Sequence, residues 1–417
     1  MKNLFQKFQF QICLVFIGFL WIFILNFLLQ ISLQNYVYPD TESYIRASED
    51  LYFSYKPNDI RPSLIALING FPLLFGFSKT TLFLWNSSVN LVFWFANVLL
   101  IFGLSSKIIS KKAAFFIALI YLFTLGSLLI VFEFLSETVF SFFLLVSFFL
   151  FRKYTENKKV TYLCLGFSTL ILSMLIKPVS LLLFFFVCVF FGLKELNKVI
   201  RSRSSILVYS SIFMVLCHLY SMKSNYGNYT LSYIDSFTYY NYLGTRADCF
   251  KNGTKFVQCN NYRYRYFNKF SLSDTKKVAF EDVKNQLTNN TFNFAKAYCT
   301  NLFLNSCRAS GYFYAYQNKT NSVHFEIYRV LFRGFSRLQS MLYSFIGFIV
   351  SLYYFFRKKT DKFLKTTSFA IIYIVAMSAI SSDQADRFYI VIYPLILILL
   401  AQFLKDNFKS ISVPLQK

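Results

Sequence analysis

Short charged loops divide this chain of 417 residues into apolar runs long enough to cross a bilayer, and that alternation limits its possible folds more than any other feature. A helix needs about 20 apolar residues to cross a hydrocarbon core about 30 Å thick. The uncharged runs predict spans near 11–33, 82–104, 113–131, 136–151, 160–176, 178–193, 205–222, 338–356, 366–382 and 388–404. The expected fold is therefore an all-α polytopic membrane protein with about ten transmembrane helices. Within 160–193 the apolar run is interrupted by Lys177-Pro178. The residue before a proline is pushed out of helical geometry, so two helices are expected to meet there. The first span is too long for a signal-peptide core and has no small-residue cleavage site, so it is read as retained.

The basic residues orient the spans. The loop 107–112 carries three Lys, 152–159 carries four basic residues, 194–203 four, and 357–365 five. With ten spans, all four clusters fall on one side, together with Lys2 and Lys7 at one end of the chain and Lys405, Lys409 and Lys417 at the other. Cytoplasmic loops are enriched in Lys and Arg, so both termini are expected to be cytoplasmic, in a multi-pass protein of a bacterial inner membrane. Three regions follow: a transmembrane region 1–222 with an outer loop 34–81, an extracytoplasmic domain 223–337 whose class (mixed or otherwise) stays open, and a C-terminal transmembrane region 338–417.

The formal charge of +24 would point to nucleic acid in a soluble protein. Here the cations lie in short clusters between apolar runs, with no basic groove interleaved with aromatic residues, so no nucleic-acid partner is expected. Two histidines, His218 and His324, are too few for a dedicated zinc site. His218 lies inside an apolar run, where it is either a packed polar residue or, as ionisable groups in membranes often are, functional.

The segment 223–337 holds four of the eight cysteines, Cys249, Cys259, Cys299 and Cys307. On an oxidising face these would pair, with Cys249–Cys259 and Cys299–Cys307 the favoured connectivity among three, the alternative being four free thiols.

Charges at outer helix ends carry the chemical information. Asp40 follows the first span and has two readings, a general base tuned by partial desolvation or an N-cap of the next helix. Glu42 follows two residues later. Glu137 opens the fourth span, either complementing the helix dipole or facing Asp40 across a cavity, with Glu133 a weaker version of the same idea. Arg61, Lys177 and Arg387 would together hold a phosphate, although each taken singly also reads as a cation snorkelling to lipid headgroups. The stretch 63–78 reads as amphipathic helix lying in the interface.

These phrases resemble the GT-C-fold glycosyltransferases, the group that includes protein O-mannosyltransferases and the lipid A aminoarabinose transferase. The resemblance rests on Asp40-Thr41-Glu42-Ser43-Tyr44 opening the first outer loop, Arg61-Pro62-Ser63-Leu64 running to Leu74-Phe75-Gly76, Ser136-Glu137-Thr138-Val139-Phe140, Lys177-Pro178, and Arg387-Phe388 with Pro394. It covers 1–195 well and 366–404 weakly. Three departures stand out: Ser63 replaces a second proline, Phe388 stands where the family has Tyr, and a metal-binding His of some relatives has no counterpart. The resemblance implies an inverting glycosyltransferase that moves a sugar from polyprenyl phosphate to a glycan, lipid or protein acceptor. Asp40 and Glu137 would be catalytic, Arg61, Lys177 and Arg387 would bind the donor phosphate, and Glu42 and Asp59 would support them. Carboxylates such as Glu137 or Asp59 would hold sugar hydroxyls, or a divalent metal (Mg or Mn) where one is needed.

Other classes read differently. A transporter or flippase would use Lys177-Pro178 as a broken helix, yet the charges sit at span ends and the halves show no repeat. A surface-polysaccharide polymerase or ligase would carry its key residues in a late loop. A scaffold would carry no chemistry at all.

Overall fold

A computed structural model describes residues 2–31, 40–257, 261–315, 323–382, 384, 386 and 387–408. The described chain is helical: α1 Lys2–Leu29, α2 Thr41–Ser54, α3 Ser63–Gly70, α4 Lys79–Ser105, α5 Lys111–Leu122, α6 Leu125–Leu129, α7 Glu137–Asn157, α8 Val160–Ser173, α9 Ser180–Arg201 and α10 Ser205–Tyr226. Then come α11 Ile234–Thr238, α12 Thr245–Asn252, α13 Tyr262–Phe267, α14 Leu272–Asn289, α15 Thr291–Ser306, α16 Tyr312–Ala315, α17 Val323–Phe356, α18 Lys362–Ser378, α19 Arg387–Ile390 and α20 Tyr393–Asn407. In hydrocarbon a helix satisfies its own backbone, which is why apolar runs of this length fold this way.

The protein is an all-α, multi-pass integral membrane protein, but the expected count of ten spans is not reached by length. Among the described residues, six helices are long and apolar enough to cross a membrane, and a seventh span results if α5 and the stretch Leu125–Phe132 count as one. The other expected spans correspond to α8, α18 and α20, whose 14, 17 and 15 residues fall short of a full crossing. The break at Lys177-Pro178 lies between α8 and α9 as expected. Gly192, with φ of 76°, interrupts α9 near the end of its apolar stretch, a conformation that glycine adopts without penalty.

Two expectations on boundaries change. The predicted single span 113–131 bends by 62° between α5 and α6. At the bend Thr124 Oγ1 donates to the Ile120 carbonyl and meets Tyr343 Oη at 2.9 Å. The boundary placed at 337/338 falls inside α17, a continuous helix of 34 residues. At 1.5 Å per residue it is about 51 Å long, so one helix serves both as a span and as a projection beyond it.

The four basic loops meet at one end of the bundle. Lys107 pairs with Glu156 at 3.5 Å and Arg152 with Asp361 at 3.3 Å, while Tyr154 bonds Glu195 and Lys362 reaches the Phe191 carbonyl at 3.1 Å. Glu137 opens α7 at the other end, about 28 Å away along that helix.

The segment after α10 forms a small helical body around Tyr239, Tyr240, Leu243, Phe267 and Ala297. It is docked on the bundle by Tyr298, Asn301 and Asn305, whose side chains donate to the carbonyls of Ala376, Ala379, Ser378 and Ser381 at 2.8–3.0 Å. Cys249, Cys299 and Cys307 are free thiols. The expected Cys299–Cys307 bridge is not formed. The two residues are eight apart, on α15 and at its C-cap, which separates them by about 12 Å along the helix, beyond disulfide reach. The expected Cys249–Cys259 pair involves Cys259, which lies outside the described residues.

Candidate active site

Five segments distant in sequence bring charge to one point. Asp40 immediately precedes α2, but its side chain makes no capping bond. The carboxylate turns instead to two guanidiniums: Arg387 Nη1 donates to Oδ2 at 2.8 Å, and Arg61 Nη2 lies 3.3 Å from Oδ1. The side chain of Asp40 is therefore an ion-pair partner and does not act as the N-cap of α2. Tyr44, four residues on and so on the same helix face, lies under Arg61, with its ring centroid 4.1 Å from the guanidinium carbon. Its hydroxyl meets Ser136 Oγ at 2.9 Å and accepts from Arg61 Nη1 at 3.4 Å. Ser43 Oγ accepts from Arg61 Nε at 2.9 Å.

Glu137 is the inner counterpart. Its side chain is 1% exposed, against 34% for Asp40. Oε1 accepts from Lys177 Nζ at 2.8 Å and from Arg387 Nε at 3.0 Å, and Arg387 Nη2 stands 2.9 Å away. Oε2 is buried without a hydrogen-bond partner among the described residues. Arg387 thus bridges the two carboxylates, and among the described residues three cations face two acids. Burying ions is costly unless they are paired, as these are.

Burial pushes the Asp40 carboxyl up, but Arg387 and Arg61 outweigh it and hold the group well below the usual carboxylate range. Burial likewise lowers the Lys177 ammonium, against the opposing pull of Glu137.

The other singled-out residues lie apart from the cluster. Glu42 is exposed on the first turn of α2. Asp59 offers its backbone carbonyl to Tyr233 N at 2.9 Å, and its side chain, raised in pKa by burial, is not in the network. Glu133 is buried, and its carbonyl accepts from Asn86 at 3.1 Å. Asp386 carried no role in the sequence reading. It is 2% exposed, and Oδ1 has no hydrogen-bond partner among the described residues. Its carboxylate packs so closely on Gly126 that a Cβ there would collide with it. Burial pushes its pKa up to about 7. Ser43, Tyr44 and Ser136 were also missed as parts of the site, because only the fold shows that they support Arg61.

The donor set does not fit a divalent metal. The two clustered carboxylates are both engaged by guanidinium or ammonium groups, and among the described residues no three His, Cys, Asp or Glu side chains come together.

No protein-family model matches the chain, and no curated protein matches it. Two solved structures from Archaeoglobus fulgidus are similar in shape. One is the oligosaccharyltransferase in its apo form, with a TM-score of 0.46 and 12% identity over 97% of this chain and 52% of that one. The other is the oligosaccharyltransferase AglB in complex with an inhibitory peptide and a dolichol-phosphate, with a TM-score of 0.44 and 13% identity over 97% and 51%. The chain spans about half the length of these proteins.

Proposed function

We propose that this protein is a GT-C-type membrane glycosyltransferase that moves a sugar from a polyprenyl-phosphate donor to an acceptor hydroxyl, with inversion. The observation that carries this reading is the convergence of Asp40, Arg61, Glu137, Lys177 and Arg387 at one end of a membrane helix bundle. In the proposed orientation that end faces the extracytoplasmic side, because the four basic loops gather at the other end.

The acceptor oxygen attacks the anomeric carbon while the bond from that carbon to the phosphate oxygen breaks. The electron pair leaves with the phosphate. Asp40, at 34% exposure the more accessible carboxylate, takes the acceptor's proton. A carboxylate tied to two guanidiniums is a weak base. The donor phosphate competes for Arg61, Arg387 and Lys177 and so loosens their hold on Asp40. The same three cations then stabilise the charge that grows on the leaving phosphate, the largest electrostatic demand of the reaction. Glu137, behind them, keeps Lys177 and Arg387 aimed. No step here requires a metal.

The test uses the purified protein in lipid nanodiscs with a panel of polyprenyl-phosphate sugars and an acceptor extract, following free polyprenyl phosphate by mass spectrometry. One donor consumed by wild type and spared by Asp40→Asn is the expected result. Equal consumption by both proteins removes Asp40 as the base. No consumption of any donor by folded protein overturns the transferase reading.

A further inference from the structure

His218 is buried within α10, 5% exposed, and both of its ring nitrogens are engaged. Nε2 lies 3.0 Å from the Leu231 carbonyl. A carbonyl only accepts, so Nε2 carries the proton, and in the neutral ring Nδ1 carries the lone pair. Ser63 Oγ, 2.6 Å from Nδ1, is therefore the donor of that bond.

Ser63 is the first residue of α3, and its position fixes two of the site's cations. On one side stands Arg61-Pro62, where Pro62 has φ of −66° and ψ of 157°. Proline's ring locks φ, which removes one of the torsions that could absorb a shift of Ser63 before it reaches Arg61. On the other side, the next two amides, Leu64 N and Ile65 N, both donate to the Leu175 carbonyl at 3.0 and 3.2 Å, two residues before Lys177. The end of α10 and the chain beyond it grip the same arm from outside. Tyr226 Oη donates to the Pro57 carbonyl at 2.8 Å, Ser232 Oγ to Ile60 at 2.5 Å, and Tyr233 N to Asp59 at 2.9 Å. From His218 to Tyr233, α10 and its extension hold 57–63 at both ends.

We propose that His218 is a positioning residue for the phosphate-binding cations: through Ser63 it sets where α3 begins and so where Arg61 and Lys177 stand. This rests on the reading that those cations hold the donor phosphate. The plain alternative is a buried histidine that serves packing alone.

Asparagine and glutamine separate the two. Asn at 218 places its Oδ1 where Nδ1 stands and can still accept from Ser63. Gln places its amide nitrogen near Nε2 and keeps only the Leu231 bond. The probe is undecaprenyl phosphate without sugar, titrated onto full-length protein in nanodiscs, with melting temperature recorded for each variant. Ser63→Ala, which removes a single oxygen, and His218→Gln are each expected to weaken binding about 5–10-fold, the scale of one buried hydrogen bond. His218→Asn is expected to stay within about 2-fold of wild type, and Ser63→Ala with His218→Gln should be no worse than the worse single change, because both remove one interaction. If Arg61→Gln weakens binding while Ser63→Ala and His218→Gln bind like wild type, the positioning role is wrong and the phosphate site stands. Should His218→Asn and His218→Gln lose affinity and melting temperature equally, packing explains the residue and the proposal is overturned. Unchanged binding by Arg61→Gln means that the phosphate reading itself has failed.

Discussion

The two ends of the bundle use the same residue types for different purposes. At the basic end, Arg152 pairs with Glu156 and Asp361, with side chains 20%, 29% and 48% exposed, and Lys107 with Glu156, at 37% and 29%. At the other end, Arg387 at 7% and Glu137 at 1% are withdrawn from water and locked to each other. Exposed pairs contribute little because solvent screens them and side-chain order costs entropy. A buried set is costly to assemble, seldom gains stability over apolar residues of the same shape, and is therefore the better marker of chemistry. The basic end also has its partners spread over several loops, whereas at the site end one guanidinium bridges both carboxylates.

The sharpest way to break this contrast is Arg387→Ala. It strips Glu137 of two of its three donor contacts and Asp40 of its closer partner. Breaking a buried pair from one side costs about 3–5 kcal/mol. Transferase activity is expected to fall at least about a hundredfold, in line with the loss of a charge-stabilising donor, together with a large drop in melting temperature. A variant as stable and as active as wild type would mean that the cluster is an incidental ion pair like those at the basic end.

Much of the site was legible because a charge beside a proline, or at the edge of a long apolar run, needs a reason to be there. Arg61-Pro62, Lys177-Pro178 and the acid opening 137–157 all carry that signal. The four-residue spacing of Asp40 and Tyr44 implies a shared helix face, but not that Arg61 lies over the ring. Asp386 gave no sign of burial, since only the bend at Thr124 brings Gly126 against it. Hydropathy located the long apolar helices, six of which are long enough to cross a membrane among the described residues, while the bend in 113–131 depends on tertiary contacts such as Tyr343 with Thr124. The Cys299–Cys307 pairing is not formed because a spacing of eight looks local in sequence and is a long rise in a helix.

A finer test lies within the site end. Asp386 adjoins Arg387 yet takes no part in its ion pairs, and burial raises its pKa from 3.8 to about 7. An acid whose pKa rises on folding binds a proton more tightly in the folded state. The fold therefore loses stability as pH climbs from about 3.8 to about 7, and the loss is then complete. Asp386→Asn, isosteric and neutral, lacks that loss. Its melting temperature relative to wild type should rise steadily between pH 4 and pH 7 and level off above. Asp40 runs the other way. Its depressed pKa contributes stability that is present above 3.8 and fades as pH falls below it, so Asp40→Asn should differ from wild type least in strong acid. Parallel curves for wild type and Asp386→Asn would place Asp386 in water rather than against Gly126.

The smallest effect is expected where the sequence is most basic. Arg152→Gln removes the i,i+4 pair with Glu156 and the link to Asp361, each at least partly in solvent. Exposed pairs contribute about 0.2–1 kcal/mol, less as salt rises. Melting in detergent should shift by a degree or two at low salt and not measurably in 0.5 M salt, with donor consumption unchanged. The salt series matters more than the shift itself, because screening reaches exposed charges and leaves buried ones nearly untouched. If Arg152→Gln reduced donor turnover as far as removal of the Lys177 charge does, the two ends would be coupled through α7, and burial alone would no longer separate chemistry from architecture in this molecule.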